Sequence, residues 1–185
     1  MERESDRLAK KDVAALKSRW NEKVSDGSGT ALQRMIERLK SECGKNNPDR
    51  PSSLDLRGIT FLHEDLSALD LSGYDFSHSN LNRTNLKGSI LSYSKFNMTS
   101  LDQTILDKCE FIGSDLSYAS LNECSAKMCG FGGANLSNAS LIDADLSGAT
   151  FSRSKLIYAD LRASNLENAR LSEADLSWAI FTRAK

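Results

Sequence analysis

The sequence predicts a repeat architecture, a stack of short identical units around one continuous core. Three observations carry that prediction. First, every fifth residue from Leu56 to Phe181 is leucine or phenylalanine, with Ala126 the sole departure, and the phase never slips. Second, all seven phenylalanines of the chain fall on this grid. Third, the residue two places before each apolar centre is usually small: Ala119, Ala134, Ala139, Ala144, Ala149, Ala159 and Ala169 occupy it, with Ser, Thr or Cys at most other units. A period of five matches neither the 3.6 of a helix nor the 2 of a simple strand. A fixed repeat of this kind means that successive units stack and bury their apolar faces on one another.

The residue before the centre is often Asp or Asn, as at Asp115, Asn135, Asp145, Asp160, Asn165 and Asp175. Segments such as Ala134-Asn135-Leu136-Ser137-Asn138 therefore read A-[D/N]-L-x-x. This pattern, unbroken over residues 54–183, resembles the pentapeptide-repeat family. The resemblance implies an all-β fold, a right-handed quadrilateral (four-sided) parallel β-helix. Each pentapeptide forms one side, four make a coil of twenty residues, and the centre and small residues point inward. Six and a half coils stacked roughly 4.8 Å apart would give a rod about 30 Å long.

The segment ahead of the rod, residues 1–50, follows a helical grammar. Leu8, Val13, Leu16, Trp20 and Val24 recur at near-helical spacing, and Leu32, Met35, Ile36, Leu39 and Cys43 fit one helix face closely. Ser25-Asp26-Gly27-Ser28-Gly29 reads as the turn between them, Gly44 as a helix end, and Asn46-Asn47-Pro48 as the break before the repeats. The domains are thus a helical hairpin over 1–50, acting as cap or arm, and the β-helix over 51–185. Apolar residues in the first small slots, Leu54, Ile59, Leu69 and Tyr74, give a cap something to cover. Partner binding and a secretion address are the other uses of this segment. Residues 1–50 carry 12 Lys and Arg against 9 Asp and Glu, a balance of +3, whereas 51–185 carry 12 against 16, a balance of −4.

Within the repeats, twenty-residue spacing predicts which side chains stack. Phe111, Phe131 and Phe151 should form a ladder on one side, and Phe76 should lie under Phe96 on another. Ala126 interrupts a leucine ladder, so a neighbour should fill the gap, with Cys124 or a redirected Met128 as candidates. Cys109, Cys124 and Cys129 occupy inward slots and are read as reduced, buried thiols. Cys109 and Cys129, twenty apart, are close enough in register that a bridge is an alternative. Cys43, outside the repeats, is expected to be the exposed thiol.

No apolar run approaches the roughly 20 residues of a membrane helix, and the N-terminus lacks the apolar core of a secretory signal. The expected location is therefore the cytoplasm, or, for a bacterial effector, export by a leaderless route. Catalysis is not expected. The two histidines, His63 and His78, fall on different predicted sides, and no Cys/His set has metal-ligand spacing. Gly130-Phe131-Gly132-Gly133 keeps the repeat phase and reads as wall rather than a phosphate loop. Neither cofactor nor metal is predicted, and neither direct nucleic-acid binding nor a membrane partner.

Binding to another protein remains. Two residues after the centres of one side come Gly58, His78, Met98, Tyr118, Asn138, Tyr158 and Trp178, each twenty apart. A column of large side chains on a solvated wall marks a contact surface, or else stabilises the wall as cross-strand pairs do. From this follows the leading expectation, a non-catalytic protein-interaction scaffold that binds through one side or one end. The resemblance implies an alternative, because some members mimic B-DNA and bind bacterial DNA gyrase or topoisomerase IV, protecting them from inhibitors. The relevant column reads Asp55, Asp75, Lys95, Asp115, Asn135, Lys155, Asp175, and its lysines interrupt the acids. The protruding loops of the quinolone-resistance members are also missing from the repeat pattern. Finally, Trp178, Ile180 and Phe181 place apolar surface at the C-terminal end. Members of the family often dimerise end to end through that coil, which implies a homodimer joined there.

Overall fold

The computed structural model describes residues 31–43 and 54–185. The first helix of the expected hairpin, its turn, Gly44 and the Asn46–Pro48 break lie outside the described residues. Among the described residues, one helix, α1 (Ala31–Glu42), precedes the rod.

Residues 54–185 wind into coils of twenty residues. Parallel bridges join Asp55 to Asp75, Thr60 to Asn80, Asp65 to Asn85 and Asp70 to Ile90, so each coil has four sides, and the pattern continues to Asp160–Ile180. Sustained strands do not form, which corrects the expectation of stacked strands. Each side contributes one bridging residue, because a tight turn follows every centre and leaves no room for a longer extended run. In the unit around Leu116, the Leu116 N–H donates to the Asn135 carbonyl of the next coil (2.7 Å) and the Tyr118 N–H to that of Ser137 (3.0 Å). The Ala119 N–H closes the turn onto the Leu116 carbonyl (3.1 Å). The same three bonds recur along the rod, so its backbone donors are largely spent within the stack.

Counting the apolar centre as first, the third residue of every unit, from Gly58 to Arg183, has positive φ, between 54° and 75°. Glycine occupies only six of these positions; the rest include Lys108, Tyr118 and Trp178. A non-glycine residue there costs roughly 1–2 kcal/mol, and the turn bond plus the coil-to-coil bond offset it. This geometry sends the third side chain outward at a corner.

The inward positions are those expected. Every centre from Leu56 to Leu161 is fully buried, Leu66 being the least so at 1% exposure. Phe76 and Phe96 stack at 4.9 Å and 10°, Phe111 and Phe131 at 5.3 Å and 10°, and Phe131 and Phe151 at 4.9 Å and 5°. An edge contact between Phe96 and Phe111 (5.4 Å) joins the two ladders. Hydroxyls are tolerated in the small slot because each finds a carbonyl. Ser79, Thr84, Ser89, Ser94, Thr99 and Ser114 donate at 2.7–2.9 Å to the centre of the preceding coil. A buried hydroxyl without that acceptor would be destabilising.

Around Ala126 the chain departs from expectation. Met128 does not turn inward; it is exposed and leans over Gly148 of the next coil, 3.3 Å from where a Cβ would stand. Cys109, Cys124 and Cys129 are all buried, as is Ala126. The Cys109 thiol donates to the Leu86 carbonyl (2.8 Å) and that of Cys129 to the Cys109 carbonyl (3.3 Å). Both are free thiols, without a bridge between them. Burial pushes the Cys124 thiol up to about 12, and Cys129 also well above the usual thiol range. Because Ala126 is fully buried, Ala126→Leu should overpack the site by about 1–3 kcal/mol. Denaturation of the single variant and of Ala126→Leu with Cys129→Ala tests this, since the second change should recover stability.

At the other end, α1 lies against the first coil. Leu39 and Cys43 are fully buried, and Leu32, Met35 and Ile36 pack partly. The Cys43 carbonyl accepts the Asp70 N–H (2.7 Å), where a preceding coil would otherwise supply the acceptor. The Cys43 thiol and Tyr74 hydroxyl hydrogen-bond at 3.1 Å, and Lys40 pairs with Glu64 at 3.2 Å. Cys43 is therefore buried rather than exposed, because its position at the end of α1 turns it onto Tyr74.

Candidate functional site

The coil repeat brings His78, Met98, Tyr118, Asn138, Tyr158 and Trp178 into one column, each at the apex of a positive-φ turn. Their outward direction follows from that geometry. Exposure is 55% at Met98, 58% at Tyr118, 57% at Tyr158 and 75% at Trp178, while His78 is half-buried. Tyr158 and Trp178 stack with ring centres 6.2 Å apart and planes 10° apart. Asn138 is exposed and sits as a shorter step between Tyr118 and Tyr158. Along one flank runs the bridging column of Asp75, Lys95, Asp115, Asn135, Lys155 and Asp175.

The remaining large exposed residues do not join this wall. Tyr93 belongs to a different side, where its ring covers Gly113 at 2.9 Å from a notional Cβ. Trp178 stands in the aromatic column and also in the last bridged coil, whose final bridge is Asp160–Ile180. The end itself is formed by Phe181, half-buried, and Ile180, exposed, beside the half-buried Leu166, Leu171 and Leu176. Among the described residues, the backbone N–H groups of Leu171, Leu176 and Phe181 donate no hydrogen bond.

The acids are mostly engaged by the chain itself. Asp75, Asp115 and Asp175 accept the N–H two residues on at 3.0 Å, and Asn135 does so at 3.2 Å while donating to Asp115. Asp55 and Asp160 are each paired with an arginine two residues on, at 2.9 and 2.7 Å. Hydrogen bonds from Arg162 hold the Asp160 carboxyl below the usual carboxylate range, and those from Ser177 do the same for Asp175.

A groove of about 450 Å³ on the next side was not anticipated. Its floor is a polar ladder. Asn82 Oδ1 accepts the Asp102 N–H (2.9 Å), Asp102 Oδ1 that of Asn122 (3.0 Å), and Asn122 Oδ1 that of Ile142 (3.0 Å). Above it, Arg83 donates to Gln103 (2.7 Å) and Gln103 to Glu123 (2.8 Å). The signal was available as Asn, Asp and Asn at twenty-residue spacing. Its polar groups bond to one another, so the ladder reads as wall reinforcement. Among the described residues, no group of three or more His, Cys, Asp or Glu is placed to hold a metal ion. No helix among them is long and apolar enough to cross a membrane.

The sequence pattern of the family described as pentapeptide repeats matches residues 70–107, 129–168 and 150–185, in eight copies. The chain belongs to the pentapeptide-repeat family. Known structures of that family are right-handed quadrilateral β-helices, and its proteins are generally non-enzymatic structural or binding proteins. Solved pentapeptide-repeat structures are similar to this chain. One is QnrB1, a plasmid-mediated fluoroquinolone resistance protein, at 19% identity over 68% of this chain and 72% of that one, with a TM-score of 0.32. A second, from the thylakoid lumen of Arabidopsis thaliana, is 27% identical over 60% of this chain and 63% of its own, with a TM-score of 0.31. A third, from the cyanobacterium Cyanothece 51142, is 19% identical over 81% of this chain and 99% of its own, with a TM-score of 0.34. The superpositions are loose, and membership rests on the repeat pattern. No curated protein matches the chain.

Proposed function

We propose that this pentapeptide-repeat protein is a non-catalytic interaction scaffold that engages a partner protein through its aromatic wall. The observation that carries the reading is the stacked, exposed pair of Tyr158 and Trp178, continued by Tyr118 and Met98. Tyr and Trp combine a large apolar body with a polar tip and dominate the energetics of protein interfaces. Nothing inside the rod requires them there, because the third slot accepts Ala163 and Gly148 equally well. Capture from native lysate by the wild type and by a Tyr118→Ser, Trp178→Ser variant tests the reading. The same bound protein should be recovered with the first and lost with the second; recovery with both would refute it.

The C-terminal end is proposed as a homotypic contact using Ile180 and Phe181, with Trp178 at its margin. A stack of coils with open donors and half-exposed core residues tends to pair with another chain, and an isologous contact closes on itself. Ile180→Asp with Trp178→Ser should halve the assembly mass seen by light scattering while leaving the circular dichroism of the rod intact. An unchanged mass would contradict the contact. Four buried free thiols suit a reducing cytoplasm, which is the location we favour.

The gyrase-directed reading has less support. A DNA-like surface needs sustained negative potential, whereas lysines interrupt the acidic column and two of the chain's aspartates are neutralised by arginines.

A further inference from the structure

We propose, resting on the partner-binding reading of the aromatic wall, that the partner is a second copy of this chain, laid antiparallel against the same wall with Asn135 facing Asn135. In such an isologous contact each column of the wall meets its own reverse, and every pairing occurs twice. Both copies carry the same coil repeat, so the match depends on the order of residues along the wall and on no distance.

Charge selects the alignment. The bridging column reads Lys95, Asp115, Asn135, Lys155, Asp175. With Asn135 on the two-fold axis, Lys95 faces Asp175 of the second copy and Asp115 faces Lys155, so every charged pair is of opposite sign. Asp75 and His78 fall beyond the overlap. Like charges placed opposite each other are destabilising, and such pairs set register more than affinity. Sliding one copy by one coil sets Asp75 against Asp175 and Lys95 against Lys155 in one direction, and Asp115 against Asp175 in the other. A slide of two coils sets Asp115 or Lys155 against itself. A slide of three coils toward the first coil avoids like charges, but it draws on Asp55, which Arg57 already holds at 2.9 Å, and it carries Trp178 past the first coil.

The same charges are neighbours within the chain, where Lys95 is bridged to Asp115 and Lys155 to Asp175. After the hydrogen bonds from Ser177, the charge of Lys155 also helps to hold the Asp175 carboxyl low. Among the described residues, neither lysine closes an ion pair in its own column. The second copy adds to that attraction: Lys155 and Asp175 of one chain, with Asp115 and Lys95 of the other, form a ring of alternating sign. Charges on the flanks are already matched, Arg153 by Glu173 (2.9 Å) and Asp160 by Arg162 (2.7 Å).

The aromatic column favours the same alignment independently. Met98 meets Trp178 of the second copy and Tyr118 meets Tyr158, so each of these exposed residues gains an apolar counterpart. Thioether–ring and ring–ring contacts are both favourable. The short Asn138 meets itself on the axis, where two amides can each donate and accept. Between the two columns stand Ser117, Ser137 and Ser177, small enough for the walls to approach.

The test is complementation in an Ile180→Asp chain, in which the end contact is silenced. Light scattering at micromolar concentration should give that chain the mass of two copies. Adding Asp115→Lys opposes two ammonium groups across the wall, and adding Lys155→Asp opposes two carboxylates. Each should fall to the mass of one copy with its circular dichroism unchanged. An equal mixture of the two should return to two copies, because every pair across the wall is again of opposite sign. Lys95→Asp and Asp175→Lys repeat the test on the flanking pair. A single-copy mass for Ile180→Asp alone, or mixtures that stay at one copy, overturns the proposal. In lysate capture the recovered protein should be the chain itself. Capture of a different protein through Tyr118 and Trp178 would leave the wall reading standing and this inference alone would fall. Capture indifferent to both residues would remove the wall reading itself.

Discussion

Replacing Phe131 by alanine is expected to destabilise the rod by about 3–5 kcal/mol. The ring is fully buried and stacked on both faces, against Phe111 at 5.3 Å and Phe151 at 4.9 Å. Truncation therefore removes two aromatic contacts as well as the buried area, and the surrounding wall cannot collapse inward. Its hydrogen bonds to the coils on either side fix its radius. Phe131 also lies near the middle of the stack. In a quasi-one-dimensional array each unit is stabilised by its neighbours, so a weak central coil uncouples both halves. Lys127→Ala is the matched control. Lys127 is exposed and its pair with Asp145, at 3.3 Å, is a surface pair worth about 0–1 kcal/mol. Chemical denaturation of the two variants should differ severalfold in effect. Equal, small losses would refute the assignment of inward and outward positions.

The second large effect is expected at α1. Leu39→Ala should cost about 2–5 kcal/mol of local stability, because Leu39 is fully buried against the first coil. The consequence should be confined to that end. Loss of the helix would remove the Cys43 carbonyl that accepts the Asp70 N–H and would expose Ile59 and Tyr74. Hydrogen exchange is the appropriate readout, since local opening need not lower the stability of distant units. Exchange at Asp70 should accelerate while that at Phe131 stays slow. Uniform acceleration along the rod would show that α1 stabilises the whole stack, and no change would show that it contributes nothing.

The arrangement of the core was legible because two inward positions in every five residues repeat without an insertion. Stacking of Phe111, Phe131 and Phe151 follows from a twenty-residue coil and needs no further information. The positive φ two residues after every centre was not legible. Lys108, Glu123, Tyr158 and Arg183 all adopt it, and glycine, the usual signal, stands at only six such sites. The coil-to-coil bonds impose that conformation, and they are a property of the assembled stack rather than of any one unit. Cys43 was misjudged for a related reason, since its burial depends on where the end of α1 meets Tyr74. Beside Ala126 the sequence offered Cys124 or Met128 as the filling residue, and of the two Cys124 is buried while Met128 is exposed. On the candidate site, the column itself could be read from spacing.

In the proposed function, recognition runs through the aromatic wall rather than through surface charge. Salt separates the two, because exposed charges are screened within about 8 Å at physiological ionic strength and within about 3 Å at 1 M. The most direct measurement is retention of the captured protein by the wild-type chain and by Tyr158→Ser, Trp178→Ser, across a series from low to molar salt. The expected result is retention by the wild type throughout the series and loss in the variant even at low salt. Retention by the variant at low salt, with release of both as salt rises, would contradict it.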